Sequence, residues 1–423
     1  MLDLTNIASI EALTIEPVSR PLIGNVAPPG SKSITNRVLL LAALANGTSH
    51  ITGALKSQDT TLMAAALRQM GVTVEEPDAT SFTVTSTGIL NQPSGPLMLG
   101  NAGTAMRFLT AAVALVQGEV VVDGDDHMRK RPIGPLITAM RSIGIVCSDN
   151  DGCPPVRVSG TGSFGNGHVQ IDGGLSSQYV SALLMAAPRA SAPMEVSLTG
   201  PNIGARGYID LTLAAMAQFG ALIMELSDKS WGVMPTGYTA ANVSVEPDAS
   251  AATYLWAAEA LTGGRIDIGT AANAFTQPDA KAHAVIAQFP NMPAEIDGSQ
   301  MQDAVPTMAV LAAFNAMPVR FVGIENLRVK ECDRINALFT ELNRIRPGLA
   351  EVEGDDLIVN SDPDLAGQTL PTRIETYADH RIAMSFALAG LKIHGITILD
   401  PACTGKTYPE YWQALAGLGV SLS

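Results

Sequence analysis

Two kinds of helical segment alternate along this chain. The first kind is apolar on every side and rich in small residues. It appears in "NRVLLLAALANGTSHITG" from Asn36, "AMRFLTAAVALVQGEVVVDG" from Ala105 and "SQYVSALLMAAPRASAPMEVSLTG" from Ser177. It returns in "SAATYLWAAEALTGGRIDIG" from Ser250, "VPTMAVLAAFNAMPVRFVG" from Val305 and "HRIAMSFALAGLKIHGITILD" from His380. Each runs into a short strand that ends at Gly or Asp. Helices without a polar face belong inside a fold.

The second kind is amphipathic, as in "DTTLMAAALRQMGVTVEE", "PIGPLITAMRSIGIVCSD" and "DRINALFTELNRIRPGLAEVEG". In the last, Ile335, Leu338, Leu342 and Ile345 share one helical stripe, the spacing of a helix that covers a core. Each apolar helix with its strand, followed by an amphipathic helix and further strands, predicts a βαβαββ unit. Six such units fill the chain. The fourth, around "DAKAHAVIAQF", is the most degraded. A shortened fourth interval and the polar "PTGYTAANVSVEPDAS" predict a boundary near residue 246. The expected class is therefore α/β, with two similar domains of three units each. They span residues 30–246, and residues 1–29 plus 247–423. The N-terminal strand "IEALTIEP" fits either domain on pattern alone.

Composition narrows the function classes. Of 423 residues, 47% are hydrophobic and 16% charged, so large cores are available and disorder is disfavoured. The net charge of −14 argues against nucleic acid or an anionic membrane as partner. The four cysteines form no CxxC pair and the six histidines no HExxH, which points to a reduced protein without a structural metal. The N-terminus has neither the basic start nor the apolar stretch of a signal peptide.

Against that acidic background, cations cluster at the repeat junctions. Lys32 and Arg37 open the first apolar helix, "GNAGT" and Arg107 the second, "LSSQ" the third and "DHR" (Asp379 to Arg381) the last. "HMRKRP", "ENLRVKECDR" and "CTGKT" follow strands. Helix N-termini present unpaired N–H groups and the positive end of the dipole, which suits phosphate and carboxylate. Arginine adds two-pronged recognition of the same groups. Each motif also has a plain structural reading. "GNAGT" can be a turn, Glu331 with Arg334 a surface pair, Asp303 an N-cap, and His380 a packed histidine. Pro132 is expected to start a helix. Recurrence at matching positions favours the anion-binding reading. Neither Gly30-Ser31-Lys32-Ser33 nor Gly405-Lys406-Thr407 has the spacing of a nucleotide-binding P-loop.

Taken together, "PGSKSITNR", "LGNAGTAMR", "RPIGPL", "SSQYVSALL", "VKECDR", "YADHRIAM" and "GKTYPEY" resemble the 5-enolpyruvylshikimate-3-phosphate synthase family, in its order and over nearly the whole chain. The resemblance implies two inverse α/β domains with the active site in the cleft between them. It implies enolpyruvyl transfer from phosphoenolpyruvate to the 5-hydroxyl of shikimate 3-phosphate, with loss of phosphate and without metal or organic cofactor. Carried over by motif, phosphoenolpyruvate is expected at Lys32, Gly103, Arg131, Arg334, Arg381 and Lys406. Shikimate 3-phosphate is expected at Ser33, Arg37, Ser176, Ser177, Gln178, Tyr208, Asp303, Asn326 and Lys330. Lys32, Asp303 and Glu331 are the expected catalytic residues. A cytoplasmic monomer is implied. Ala205 stands where family members often carry serine, with Arg206 as the expected substitute, and Phe108 stands where many carry proline. The related UDP-N-acetylglucosamine enolpyruvyl transferases usually open on Gly-Ala-Lys-Asn and carry a loop cysteine. Here the opening is Gly-Ser-Lys-Ser and "DDHMRKRP" has no cysteine. The remaining alternative is a catalytically silent small-anion binder on the same fold.

Overall fold

The computed structural model describes residues 4–174, 176–200 and 204–423. They divide into two compact units, Gly30–Glu246 and Pro247–Ser423 with the chain up to Pro29.

Within Gly30–Glu246 the apolar helices are Lys32–Leu44, Gly103–Ala112 and Ser177–Ala186. All are buried nearly end to end, because a helix made of Leu, Val and Ala on every face loses apolar surface to water wherever it is exposed. The amphipathic helices Gln58–Gln69, Gly134–Ser142 and Arg206–Gln218 bury one side only. Three sheets surround this core. In one, Gly167–Asp172 lies parallel to Met194–Thr199, and Ser230–Val233 and Ile223–Ser227 continue it antiparallel. Leu97–Met98, Gln117–Asp123, Cys153–Thr161 and Val146–Asn150 repeat the same order and directions. The third sheet is built on Ala45–Thr52, with Tyr238–Thr239 and Asn242–Ser244 as its parallel neighbours.

In the other unit the buried helices are Ala249–Thr262, Val305–Ala312 and His380–Gly390. The stripe Ile335, Leu338, Leu342 and Ile345 of helix Arg334–Ile345 is buried, at about 2 kcal/mol per side chain. The N-terminal strand Ala12–Ile15 belongs here. It pairs antiparallel with His394–Leu399, Leu13 opposite Ile398 and Ile15 opposite Ile396. The degraded segment keeps only the helix Ala282–Ile286, preceded by 3-10 turns at Ala272–Ala274 and Pro278–Lys281. Among the described residues no helix is long and apolar enough to cross a membrane.

Candidate active site

Of the cations expected at the repeat junctions, Lys32, Arg37, Arg107 and Arg131 are buried in one unit and Arg334, Arg381 and Lys406 in the other. In Gly30–Glu246, Ser31 caps the first helix by accepting from the Ile34 amide at 3.4 Å. That fixes Lys32 at the first helical position, 8% exposed, with Nζ 3.5 Å from Asp59 Oδ2. Asp59 lies in the first turn of Gln58–Gln69 and is itself buried.

One turn beyond Lys32, Arg37 is almost wholly inside the unit. Its Nε donates to Thr212 Oγ1 at 2.7 Å and its Nη1 to the Ser33 carbonyl at 2.8 Å. Nη2 donates to Ser181 Oγ and to the Tyr208 carbonyl. The guanidinium also sits over the rings of Phe108 (5.2 Å) and Tyr208 (5.8 Å). Among the described residues no carboxylate pairs with it. Burial therefore lowers its pKa to about 10, with Tyr208 opposing. A buried guanidinium surrounded by neutral partners is a standing source of positive potential.

The "GNAGT" turn and the "RKRP" run meet in this unit. Arg131, 7% exposed, donates from Nη1 to Asn101 Oδ1 at 2.9 Å. Arg107 donates to the Gly103 carbonyl at 3.2 Å and to the Pro132 carbonyl at 2.8 Å, and Tyr179 Oη donates to that same carbonyl. Arg129 instead pairs with Asp123 near the surface. The helix after this run begins at Gly134 and not at Pro132: Ile133, at φ −140°, is outside the helical range and serves as the N-cap. The Ile133 and Gly134 amides, which have no acceptor within the helix, donate to the Gly152 carbonyl. A Cβ on Gly103 would lie 2.7 and 2.9 Å from the Arg131 guanidinium nitrogens and 3.0 Å from Arg107 Nη1. Gly103→Ala is therefore expected to push Arg131 aside. The melting temperature should fall by a few degrees, as overpacking in a filled interior costs about 1–3 kcal/mol; an unaltered melting temperature would show that Arg131 tolerates the shift.

Ser176 caps helix Ser177–Ala186 by accepting from the Gln178 amide at 3.2 Å, and Ser177 and Gln178 open that helix. Gln178 Nε2 lies 3.5 Å from Thr104 Oγ1, beside Gly103. Arg206, next to Ala205, is the first residue of helix Arg206–Gln218. It donates to Asp210 (2.9 Å) and Glu225 (2.8 Å) and stacks on Trp231.

The other unit holds a tighter network. Arg334 is the first residue of its helix and 1% exposed. It reaches Asp379 Oδ2 at 2.7 Å, Glu331 Oε2 at 2.7 Å and Asp303 Oδ1 at 3.0 Å. Burial alone lowers its basicity, but Asp379, Glu331 and Asp303 outweigh that and the net shift is upward. Arg381 Nη2 takes the second Asp303 oxygen at 2.7 Å. Asp303 is thus no N-cap; it is gripped by two guanidinium groups. Asp379 caps the last apolar helix by accepting from the Arg381 amide at 2.8 Å. Glu331 Oε1 lies 3.8 Å from Lys406 Nζ, both groups buried. Glu331 and Arg334 therefore form an interior pair and not a surface one. Lys330 Nζ is 3.5 Å from Gln302 Oε1. Asn326 is 5% exposed and its Oδ1 has no hydrogen-bond partner among the described residues. His380 is fully buried beside Asp379.

One unit thus gathers Lys32, Ser33, Arg37, Gly103, Arg131, Ser176, Ser177, Gln178 and Tyr208. The other gathers Asp303, Asn326, Lys330, Glu331, Arg334, Arg381 and Lys406. Sequence reasoning did not single out Asp59, nor Asn101 as the partner of Arg131. Asp59 carried one usable signal, an acid at the start of a helix.

Comparison with known proteins supplies the family. The chain matches the family described as EPSP synthase (3-phosphoshikimate 1-carboxyvinyltransferase) over residues 17–415. It is 69% identical over 409 residues to a 3-phosphoshikimate 1-carboxyvinyltransferase of Rhizobium etli (strain CIAT 652), covering 97% of each chain. A protein of the same name from Pseudomonas syringae pv. syringae (strain B728a) is 65% identical over 410 residues, 97% of this chain and 98% of that one. Among solved structures, EPSP synthase from Acinetobacter baumannii superposes with a TM-score of 0.78 at 24% identity, covering 98% of this chain and 100% of that one. The enolpyruvyl transferase NikO from Streptomyces tendae gives 0.74 at 18%, with 98% of both chains covered. These two likenesses speak to the fold.

Proposed function

The chain belongs to the EPSP synthase family and is a transferase of the enolpyruvyl group in the shikimate pathway, and we propose how its residues divide the work. Phosphoenolpyruvate is assigned Lys32, Gly103 and Arg131 of Gly30–Glu246, and Arg334, Arg381 and Lys406 of the other unit. Shikimate 3-phosphate is assigned Ser33, Ser176, Ser177, Gln178 and Tyr208, with Asp303, Asn326 and Lys330. Arg37 has one Nη1 hydrogen left and contributes mainly its charge. The observation that carries this reading is the burial of five cations, with Lys32, Arg131, Arg334, Arg381 and Lys406 all at most 8% exposed. Desolvated cations are costly unless anions join them. Carboxylates of the chain meet part of that cost at Lys32, Arg334, Arg381 and Lys406, and the substrates' phosphate and carboxylate groups are read as joining these cations.

The chemistry follows from two proton movements. Asp303, oriented by both arginines, takes the proton of the 5-hydroxyl as that oxygen attacks C2 of phosphoenolpyruvate. A proton is added to the methylene carbon at the same stage. Phosphate then leaves the tetrahedral carbon as a proton is lost from the methyl group, restoring the double bond. Glu331 and Lys32 serve at carbon, an acid in the first step and a base in the second. The protein is read as a cytoplasmic monomer.

Phosphate release from phosphoenolpyruvate is the direct test. It should require shikimate 3-phosphate. Equal release with UDP-N-acetylglucosamine would overturn the substrate assignment, and no release with either would favour a silent binder.

A further inference from the structure

Between strand Thr369–Ile374 and helix His380–Gly390 the chain makes an unusual turn. Tyr377 and Ala378 are consecutive non-glycine residues with φ of +55° and +52°. Side chains disfavour that region, so the surroundings must hold the turn in place. The holder is Glu341. Its side chain is fully buried although it sits on an amphipathic helix. Tyr377 Oη donates to Glu341 Oε1 at 2.7 Å and the Glu375 amide to Oε2 at 3.2 Å. Arg344 Nε lies 3.2 Å from Glu341 Oε2, and Arg344 Nη1 donates to the Arg373 carbonyl at 3.1 Å.

Arg334 and Glu341 are seven residues apart, on one face of the same helix. That helix therefore grips the 373–381 segment at two places, Asp379 through Arg334 and the turn through Glu341. The Asp379 backbone is tied back to the turn by its amide, which donates to the Thr376 carbonyl at 2.8 Å. We infer that Glu341 and Tyr377 form a positioning couple that sets Asp379 and Arg381 against Arg334. The couple acts through the turn and touches no substrate. Its consequence rests on the assignment of Arg334 and Arg381 to phosphoenolpyruvate.

Steady-state kinetics on the full chain test this, with melting temperature measured alongside. Tyr377→Phe removes one hydroxyl and should raise the phosphoenolpyruvate KM about tenfold, with the shikimate 3-phosphate KM within about twofold. Glu341→Ala should do the same, and Glu341→Gln, which keeps an acceptor for Tyr377, should recover most of the loss. A lower melting temperature or fewer active molecules with both KM values unchanged would mean a purely structural role and overturn the inference. Arg381→Lys serves as the control. If it leaves the phosphoenolpyruvate KM unmoved, the arginine assignment falls and the inference with it. If it raises that KM while Tyr377→Phe does not, the inference alone falls.

Discussion

Glu331→Gln is expected to lower kcat by about 10²–10⁴-fold, the range of a lost general acid or base, while both substrates still bind. The amide fills the same space and its oxygen still accepts from Arg334 Nη2, now 2.7 Å from Glu331 Oε2. What disappears is the capacity to carry a proton, together with one negative charge beside Lys406. A binding role would appear in KM; a proton-transfer role appears in kcat, because it matters only as the transition state forms. Phosphate release at saturating substrate separates the two. A kcat within twofold of the native value would remove Glu331 from the proton path and leave Lys32 alone at the methylene carbon.

The second large effect concerns folding. Arg334→Ala is expected to destabilise its unit by about 3–5 kcal/mol, the usual consequence of removing one member of a buried ionic network. Asp303, Glu331 and Asp379 all lie within 3.0 Å of the guanidinium. Without it, three carboxylates repel one another, and Asp379 and Glu331 are almost shut off from water. For a unit of this size the melting temperature should fall by roughly 10 °C. Arg334→Lys retains the charge but lacks the planar fork that meets three carboxylates at once, so an intermediate fall is expected. Thermal unfolding followed by circular dichroism reads both variants. A melting temperature for Arg334→Ala within about 3 °C of native would show that the carboxylates are stabilised by other groups.

Local pattern carried much of this reading. Apolar residues on all sides of "VLLLAALA" can only be accommodated inside a core, whatever the topology. The stripe from Ile335 to Ile345 carries its own burial direction. The lysines and arginines of the candidate site were also legible, because they sit at junctions where helix N-termini, glycines and serines recur. What escaped were the partners. Arg37 is held by Ser181 and Thr212, hydroxyls 144 and 175 residues away, and no periodicity links such positions. Glu341 lies in "TELNR", where a glutamate on an amphipathic helix reads as solvent-facing. It is buried because Tyr377 and a backbone amide satisfy it.

The amino-acid order by itself determined which helices are interior, which cover them, and where cations gather, since each depends on neighbours within a few turns. The tertiary structure decided which carboxylate faces which cation. It made Glu331 an interior partner of Arg334 and Lys406, set Asp303 between two arginines, and gave Arg37 no counter-charge among the described residues. Charge pairing acts across space over a few ångströms and is indifferent to distance along the chain, so only the folded arrangement assigns it.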